Sequence, residues 1–316
     1  MKAILLRTFG LAQDLKVSEI GKPDIQENQV LIRVKAAGVN PVDAKIRAGS
    51  NRIAQGLKLP VVLGFDFSGM IESCGKNVQG WNPGDEVLGC LGFPTLGQTY
   101  AEYVAANVEQ LVRKPREITF EEAAGLPIAG LTAYQVIREH LHLQRGQKIL
   151  IHAAAGGVGH LAVQIAKNIG AYIYATASEK NFELLYKLGA DRCIEYHQED
   201  FTQIVQEPDV VLEAIGGQVL YRSIESMKLG GRLACLPSST MNDPRALTLA
   251  EQRGVQISWP IMRPDTQQLE LLTTALQKKE LQVHIERSFD IEQANQAHLH
   301  IESHRTVGKI VLKMNE

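Results

Sequence analysis

A chain of 316 residues is long enough for two domains of about 150 residues each, and its 45% hydrophobic content supplies two ordinary cores. The net charge is −2 with acids and bases interspersed, so there is no basic face for nucleic acid or for an anionic membrane surface. No apolar run approaches the roughly 20 residues that span a bilayer. The run in MKAILLRTFG is too short for a secretory signal, and a cytoplasmic protein is expected.

From Met1 to about Pro115 the segments are short, alternating and separated by turns: KAILLR, VLIRVKAAGV, SGMIESCG, DEVLGCLG and AEYVAANVEQLVRKP. With turn chemistry such as NPGD at Asn82 to Asp85 between them, they predict an antiparallel, barrel-like β domain over residues 1–118. From about Thr119 strands alternate with helix-length segments. ILI, AYIYATA, RCIEY, DVVLEAI, RLACLPS and QISWPIM predict a doubly wound parallel sheet over residues 119–282. Residues 283–316 return to a strand pattern in GKIVLKM and rejoin the first domain. The fold class is therefore α/β, with a parallel-sheet domain inserted in an antiparallel β-barrel domain. Cys74, Cys90, Cys193 and Cys235 form no C-x-x-C pair and read as reduced and buried.

The densest signal is ILIHAAAGGVGHLAVQIAKNIG, Ile149 to Gly170. A β-branched run enters small residues and Gly156, Gly157, Val158 and Gly159, and apolar residues then recur at helical spacing. Strand, tight turn and helix place a helix N-terminus and its free N–H groups against a pyrophosphate. In the x-x-G-x-x-G frame Ala154 stands at the first position. Gly156 lets the backbone approach the phosphates, and Gly159 lets the helix pack closely on the strand.

Other pieces, in order and spacing, carry a resemblance. They are AAGVNPVDAKIRAG (Ala36 to Gly49), LPVVLGFDFSGMIESCGKNVQGWNPGDEVLG (Leu59 to Gly89), YAEYV (Tyr100 to Val104), AAGLPIAGLTAYQVI (Ala123 to Ile137), LGAD (Leu188 to Asp191) and VGKIVL (Val307 to Leu312). The chain resembles the medium-chain dehydrogenase/reductase superfamily, in its zinc-independent NADPH:quinone oxidoreductase and alkenal/enone reductase branch, which is zeta-crystallin-like. The resemblance implies a GroES-like substrate domain with a Rossmann domain inserted in it. It also suggests a homodimer, with QISWPIM as a sheet edge open to a second subunit.

Zinc-dependent relatives place a cysteine where this chain has Asn40, and a histidine–glutamate pair where it has Phe65 and Asp66. Asparagine and phenylalanine are not zinc ligands, and the four clustered cysteines of a structural zinc lobe are missing, so no metal is expected. His298, His300 and His304, on a polar C-terminal stretch, read as solvated. Without a Lewis acid the accessible chemistry is hydride transfer to an electron-poor acceptor, a quinone or an α,β-unsaturated carbonyl. Asn40 is the catalytic candidate, because its amide can donate to a developing oxyanion; the alternative is that it only stabilises the Pro41 turn. Relatives that use a tyrosine after the R-x-G of this loop have it where Ser50 and Asn51 stand here, so no such proton donor carries over.

Cofactor choice turns on the end of the second parallel strand. Thr176, Ala177 and Ser178 carry no acid there, so Ser178 and Lys180 can receive a 2′-phosphate, and NADPH is favoured. Glu179 argues for NADH, unless it only opens the following helix. The resemblance adds Tyr196 beside the same phosphate and Thr132 near the nicotinamide amide. Gly216 and Ser238 follow strand ends where a cofactor lies, though Gly216 and Gly217 read equally well as a plain loop. Two alternatives stay open: an enoyl-thioester reductase on the same scaffold, and a non-catalytic NADPH-binding protein.

Overall fold

Alternation in Gln29–Val39 turns Val30, Ile32, Val34 and Ala36 to one side, where they are buried, and this long strand is the spine of the first sheet. In the computed structural model, which describes residues 1–314, seven strands form that sheet. Its order is Ile285–Asp290, Lys309–Lys313, Gln29–Val39, Asp66–Cys74, Glu86–Cys90 and Leu111–Arg113, with Tyr103–Asn107 also paired to the spine. All pairs are antiparallel except the first, whose two strands are joined through the helix Ala294–Glu302. A small sheet of Val17–Glu19, Lys2–Leu6 and Val61–Val62 accompanies it.

The second sheet has six parallel strands in the order Arg192–Glu195, Tyr172–Ala177, Lys148–Ile151, Val210–Glu213, Arg232–Cys235 and Gln256–Ser258. Numbered along the chain this is 3-2-1-4-5-6, the doubly wound dinucleotide-binding order. Its central strands read as continuous apolar runs because both faces are covered: Ile149, Leu150, Ile151, Val211 and Leu212 are all fully buried. Gln256–Ser258 ends the sheet, paired on one side by Arg232–Cys235.

Two compact units result, Met1–Leu131 with the chain from Arg263 onward, and Thr132–Met262. The division falls later than residue 118 and earlier than residue 282. The helix Phe120–Gly125 shows the reason for the first shift: its small buried face of Ala123, Ala124 and Gly125 packs on the first sheet, where Ala124 meets Ala36 and Val311. Gly38 lies so close beneath it that a Cβ would stand 2.3 Å from the Ala124 carbonyl oxygen. At the other end, the helix Thr266–Gln277 packs on Leu111–Arg113. Helical spacing tells that a segment is a helix, not which sheet it covers.

His298 corrects the sequence reading of a solvated C-terminal stretch. It is fully buried on the helix Ala294–Glu302, inward beside Ala294 and Ala297, and its ring meets Tyr100 edge-on at 5.9 Å. The signal was present in the spacing of Ala294, Ala297, His298 and Ile301. Burial, with the Arg47 charge second, pushes its pKa down to about 3. All four cysteines are free. Among the described residues no helix is long and apolar enough to cross a membrane.

Candidate functional site

The glycine turn lies in the second unit. The strand Lys148–Ile151 leads through His152 to Val158 into the helix Gly159–Ile169. A Cβ on Gly156 would meet only the Ala153 carbonyl oxygen, at 3.2 Å, so the space beyond Gly156 is open. Gly159 differs: a Cβ there would stand 2.4 Å from the Ala153 oxygen and 2.7 Å from Ala154 Cα, so this glycine seats the helix on the turn. Gly157 and Val158 lie between them, half-buried.

Two histidines that the sequence reading passed over brace this turn. His152 is buried with Nδ1 3.1 Å from Thr176 Oγ1 and Nε2 2.9 Å from Ser223 Oγ, and its ring packs edge-on against Phe201 at 4.8 Å. Burial pushes its pKa down to about 3, so it is neutral. His160, also buried, donates from Nδ1 to the Gly156 carbonyl at 2.9 Å. A polar residue closing an apolar strand was the available signal for His152.

Parallel register sets Ala177 opposite Glu195, which carries the next residues on each strand toward one another. There Ser178 Oγ donates to the Tyr196 hydroxyl at 3.3 Å, and the Tyr196 ring, 55% exposed, lies 4.2 Å from the His197 ring. Lys180 and Glu179 follow Ser178 in the exposed turn Glu179–Asn181. The buried acid at the end of the neighbouring strand, Glu195, accepts the His197 N–H at 2.9 Å.

The remaining candidates in this unit stand at element ends. Gly216, with φ +86°, begins the helix Gly217–Ser226; the carboxylate of Glu213 accepts the Ile215 and Gly216 N–H groups. A Cβ on Gly216 would press to 2.8 Å from Thr240 Cγ2, so packing alone accounts for this glycine. Burial raises the Glu213 pKa. Ser238 is exposed and opens the turn Ser238–Thr240; Thr132 is half-buried in the helix Pro127–Gln135.

Asn40 belongs to the first unit. It is the N-cap of the helix Pro41–Arg47, where proline fits the first position and Asp43 Oδ2 accepts the Asn40 backbone N–H at 2.9 Å. Its side chain turns elsewhere. Asn40 Nδ2 donates to Asp66 Oδ2 at 2.9 Å, while the Lys309 ammonium donates to Asn40 Oδ1 and, at 3.1 Å, to the Val39 carbonyl. The Ile128 N–H donates to the other Asp66 oxygen at 3.1 Å. Sequence reasoning missed Lys309 and Asp43 as members of this cluster.

All four side chains are buried. Burial pushes the Asp43 carboxyl up to about 7 against the opposing Asn40 N–H, and the Asp66 carboxyl up to about 6 against the opposing Lys309 charge. Burial likewise lowers the Lys309 pKa, opposed by Asp66 and then Asp43. Phe65 presents only its ring, edge-on to Phe93 at 5.4 Å. Asn40 Oδ1, the side-chain atom at this position able to approach a cation, already accepts from the Lys309 ammonium. Among the described residues no group of three or more His, Cys, Asp or Glu side chains is gathered to hold a metal ion.

Comparison with known proteins agrees with this architecture. Residues 26–116 match the family described as alcohol dehydrogenase GroES-like domain, and residues 188–312 the family described as zinc-binding dehydrogenase. The chain is 38% identical to the NADPH-dependent alkenal/one oxidoreductase, chloroplastic, of Arabidopsis thaliana over 75% of this chain, a match spanning 62% of that protein's length. It is 30% identical to the 2-haloacrylate reductase of a Burkholderia species over 93% of this chain and 92% of the relative. Its fold superposes on the quinone oxidoreductase of Coxiella burnetii with a TM-score of 0.94 at 38% identity, covering 100% of this chain and 99% of the other. The chain belongs to the medium-chain dehydrogenase/reductase superfamily, in its quinone oxidoreductase and alkenal/enone reductase branch.

Proposed function

We propose that the protein is an NADPH-dependent, zinc-independent reductase of quinones or α,β-unsaturated carbonyl compounds. The observation that carries this reading is the Asn40 side chain. Where a zinc-dependent relative needs a thiolate, it offers an amide already bonded to an ammonium and a carboxylate. That set does not fit zinc. It does fit the stabilisation of negative charge on a carbonyl or quinone oxygen, through the second Nδ2–H, which has no acceptor among the described residues.

NADPH, when bound, supplies the hydride. Gly156, Gly157, Val158 and Gly159 admit its pyrophosphate at the N-terminus of Gly159–Ile169, with Gly156 leaving room for the approach. Ser178, Lys180 and Tyr196 hold the 2′-phosphate, supported by the contact between the Ser178 and Tyr196 hydroxyls and by the absence of an acid at 176–178. Thr132 serves the nicotinamide amide, and Gly216 and Ser238 border the cofactor at strand ends. The named relatives support both the cofactor and the acceptor class. A homodimer formed through the Gln256–Ser258 edge and a cytoplasmic location with reduced cysteines complete the reading.

A steady-state screen of NADPH oxidation against naphthoquinones, 2-alkenals, enones and crotonyl-CoA tests it. Turnover with a quinone or enone is the expected result. Turnover with crotonyl-CoA alone identifies a thioester reductase instead, and tight NADPH binding with no turnover identifies a nucleotide-binding protein.

A further inference from the structure

We propose that Lys309 and Asp66 are positioning residues for Asn40: together they lock its amide in one of two orientations and leave a single polarised N–H to act on substrate. The inference rests on the reading of Asn40 above. An asparagine amide is nearly symmetric in shape, and a half-turn exchanges oxygen and nitrogen. Here each end is specified by a partner that cannot change sides. The Lys309 ammonium only donates, so it requires Oδ1; the ionised Asp66 carboxylate only accepts, so it requires Nδ2.

Both partners are themselves held. Lys309 Nζ also donates to the Val39 carbonyl, and the second Asp66 oxygen accepts the Ile128 N–H. The arrangement originates in sheet register. Ile310 pairs with Val39, which sets Lys309 beside Asn40, and Asp66 pairs with Gly38. A Cβ at position 38 would lie 2.9 Å from Asp66 Cβ, so the glycine is what lets the Asp66 side chain sit there.

Electrostatics add to the geometry. Lys309 is buried, and taking an ammonium out of water is tolerated only with carboxylate and carbonyl partners at hand. Its charge on Oδ1 draws electron density from the amide and strengthens both Nδ2–H groups as donors, an effect enlarged in a low-dielectric interior. One of those N–H groups is tied to Asp66. The other is preorganised, with no amide rotation required as charge develops on substrate oxygen. In this reading a fixed lysine supplies the cationic influence that a metal supplies in zinc-dependent relatives, acting through an amide and not by direct coordination.

The test compares the full-length wild type with Lys309→Met, which keeps length and loses charge, with Lys309→Arg, and with the Lys309→Met/Asp66→Asn double variant, which leaves neither charge unpaired if the single change does not fold. Lys309→Met, or the double variant, should lower kcat by about 10- to 100-fold, below the roughly 100- to 1000-fold of removing a preorganised donor outright, because Asn40 itself remains. The NADPH Kd, read by fluorescence titration, and the KM for the acceptor should change by less than threefold, and Lys309→Arg should recover part of kcat. A second readout does not depend on turnover. The Asn40 side-chain amide signals in ¹H–¹⁵N spectra, identified by their loss in Asn40→Asp, should show one strongly downfield proton that moves in Lys309→Met or in the double variant. Unchanged kcat in a folded Lys309→Met or double variant, or Asn40 amide signals indifferent to loss of the lysine, would overturn the inference. If the wild type turns over no acceptor, the proposed function fails, and the amide signals still decide whether Lys309 and Asp66 fix Asn40.

Discussion

The Ser178 hydroxyl donates to the Tyr196 hydroxyl across 3.3 Å, although 18 residues separate them. Each closes one of two adjacent parallel strands, with Ala177 opposite Glu195. In the proposed function these two hydroxyls at neighbouring strand ends, with Lys180 in the turn that follows Ser178, hold the 2′-phosphate of NADPH.

Lys180→Ala removes a charge-assisted contact of about 1.5–3 kcal/mol to that phosphate. At about 1.4 kcal/mol per tenfold, the KM for NADPH should rise by roughly one to two orders of magnitude, while NADH kinetics hardly change. If Glu179 holds the ribose instead, Lys180→Ala affects both cofactors alike and Glu179→Ala weakens NADH. Comparing both variants with both cofactors separates the two arrangements, and a wild-type preference for NADH would refute the assignment.

Two glycines of one turn should respond differently to a side chain. Gly156→Val points into open space, with one contact at 3.2 Å, so the variant should fold and lose NADPH binding. Gly159→Ala drives a methyl group against Ala153 and Ala154 at 2.4 and 2.7 Å, and should destabilise the fold by about 1–3 kcal/mol. Thermal unfolding and NADPH titration of each variant check this. Normal cofactor affinity in folded Gly156→Val would mean that the cofactor binds elsewhere.

The purified protein should contain no stoichiometric zinc and should retain its activity in chelator, because Asn40 Oδ1 already accepts from the Lys309 ammonium and an amide nitrogen is no zinc ligand. Elemental analysis before and after dialysis is the measurement. One zinc per chain, lost together with activity, is the contrary outcome.

Stability should carry a signature of Asp43. Its carboxyl is pushed up to about 7 by burial, whereas in the unfolded chain it titrates near 3.9. Between about pH 4 and 7 the folded state holds a proton that the unfolded state has released. The stability this contributes is present at acid pH and is lost as pH rises through 7. Asp43→Asn stays neutral and keeps an oxygen for the Asn40 N–H. The variant should therefore gain on the wild type between pH 5 and pH 8, as read from urea midpoints at both. His152 and His298, both pushed down to about 3, weaken the fold below about pH 6.5, but equally in the two proteins. A variant-to-wild-type difference independent of pH would contradict the burial argument.

What the sequence alone determined is local. The run from Ile149 to Gly170 specifies strand, turn and helix through residues a few positions apart, because β-branched spacing, small turn residues and helical periodicity act on neighbours. The parallel sheet is legible for the same reason: its central strands read as apolar runs. Asn40, Ser178 and Tyr196 stood out singly, by residue type, position and family resemblance. Only the tertiary structure decided their company. Lys309 reaches Asn40 across 269 residues because Ile310 pairs with Val39, and no local pattern encodes a register between distant strands. For His298 the helical spacing of Ala294, Ala297 and Ile301 marked an inward face despite its polar neighbours, and only the tertiary structure set Tyr100 against it. The same holds for the helix Phe120–Gly125, whose periodicity was visible but whose choice of sheet rests on Ala124 meeting Ala36 and Val311. Pairing and packing are settled between segments far apart in the chain, where shape and burial act together and single residues do not.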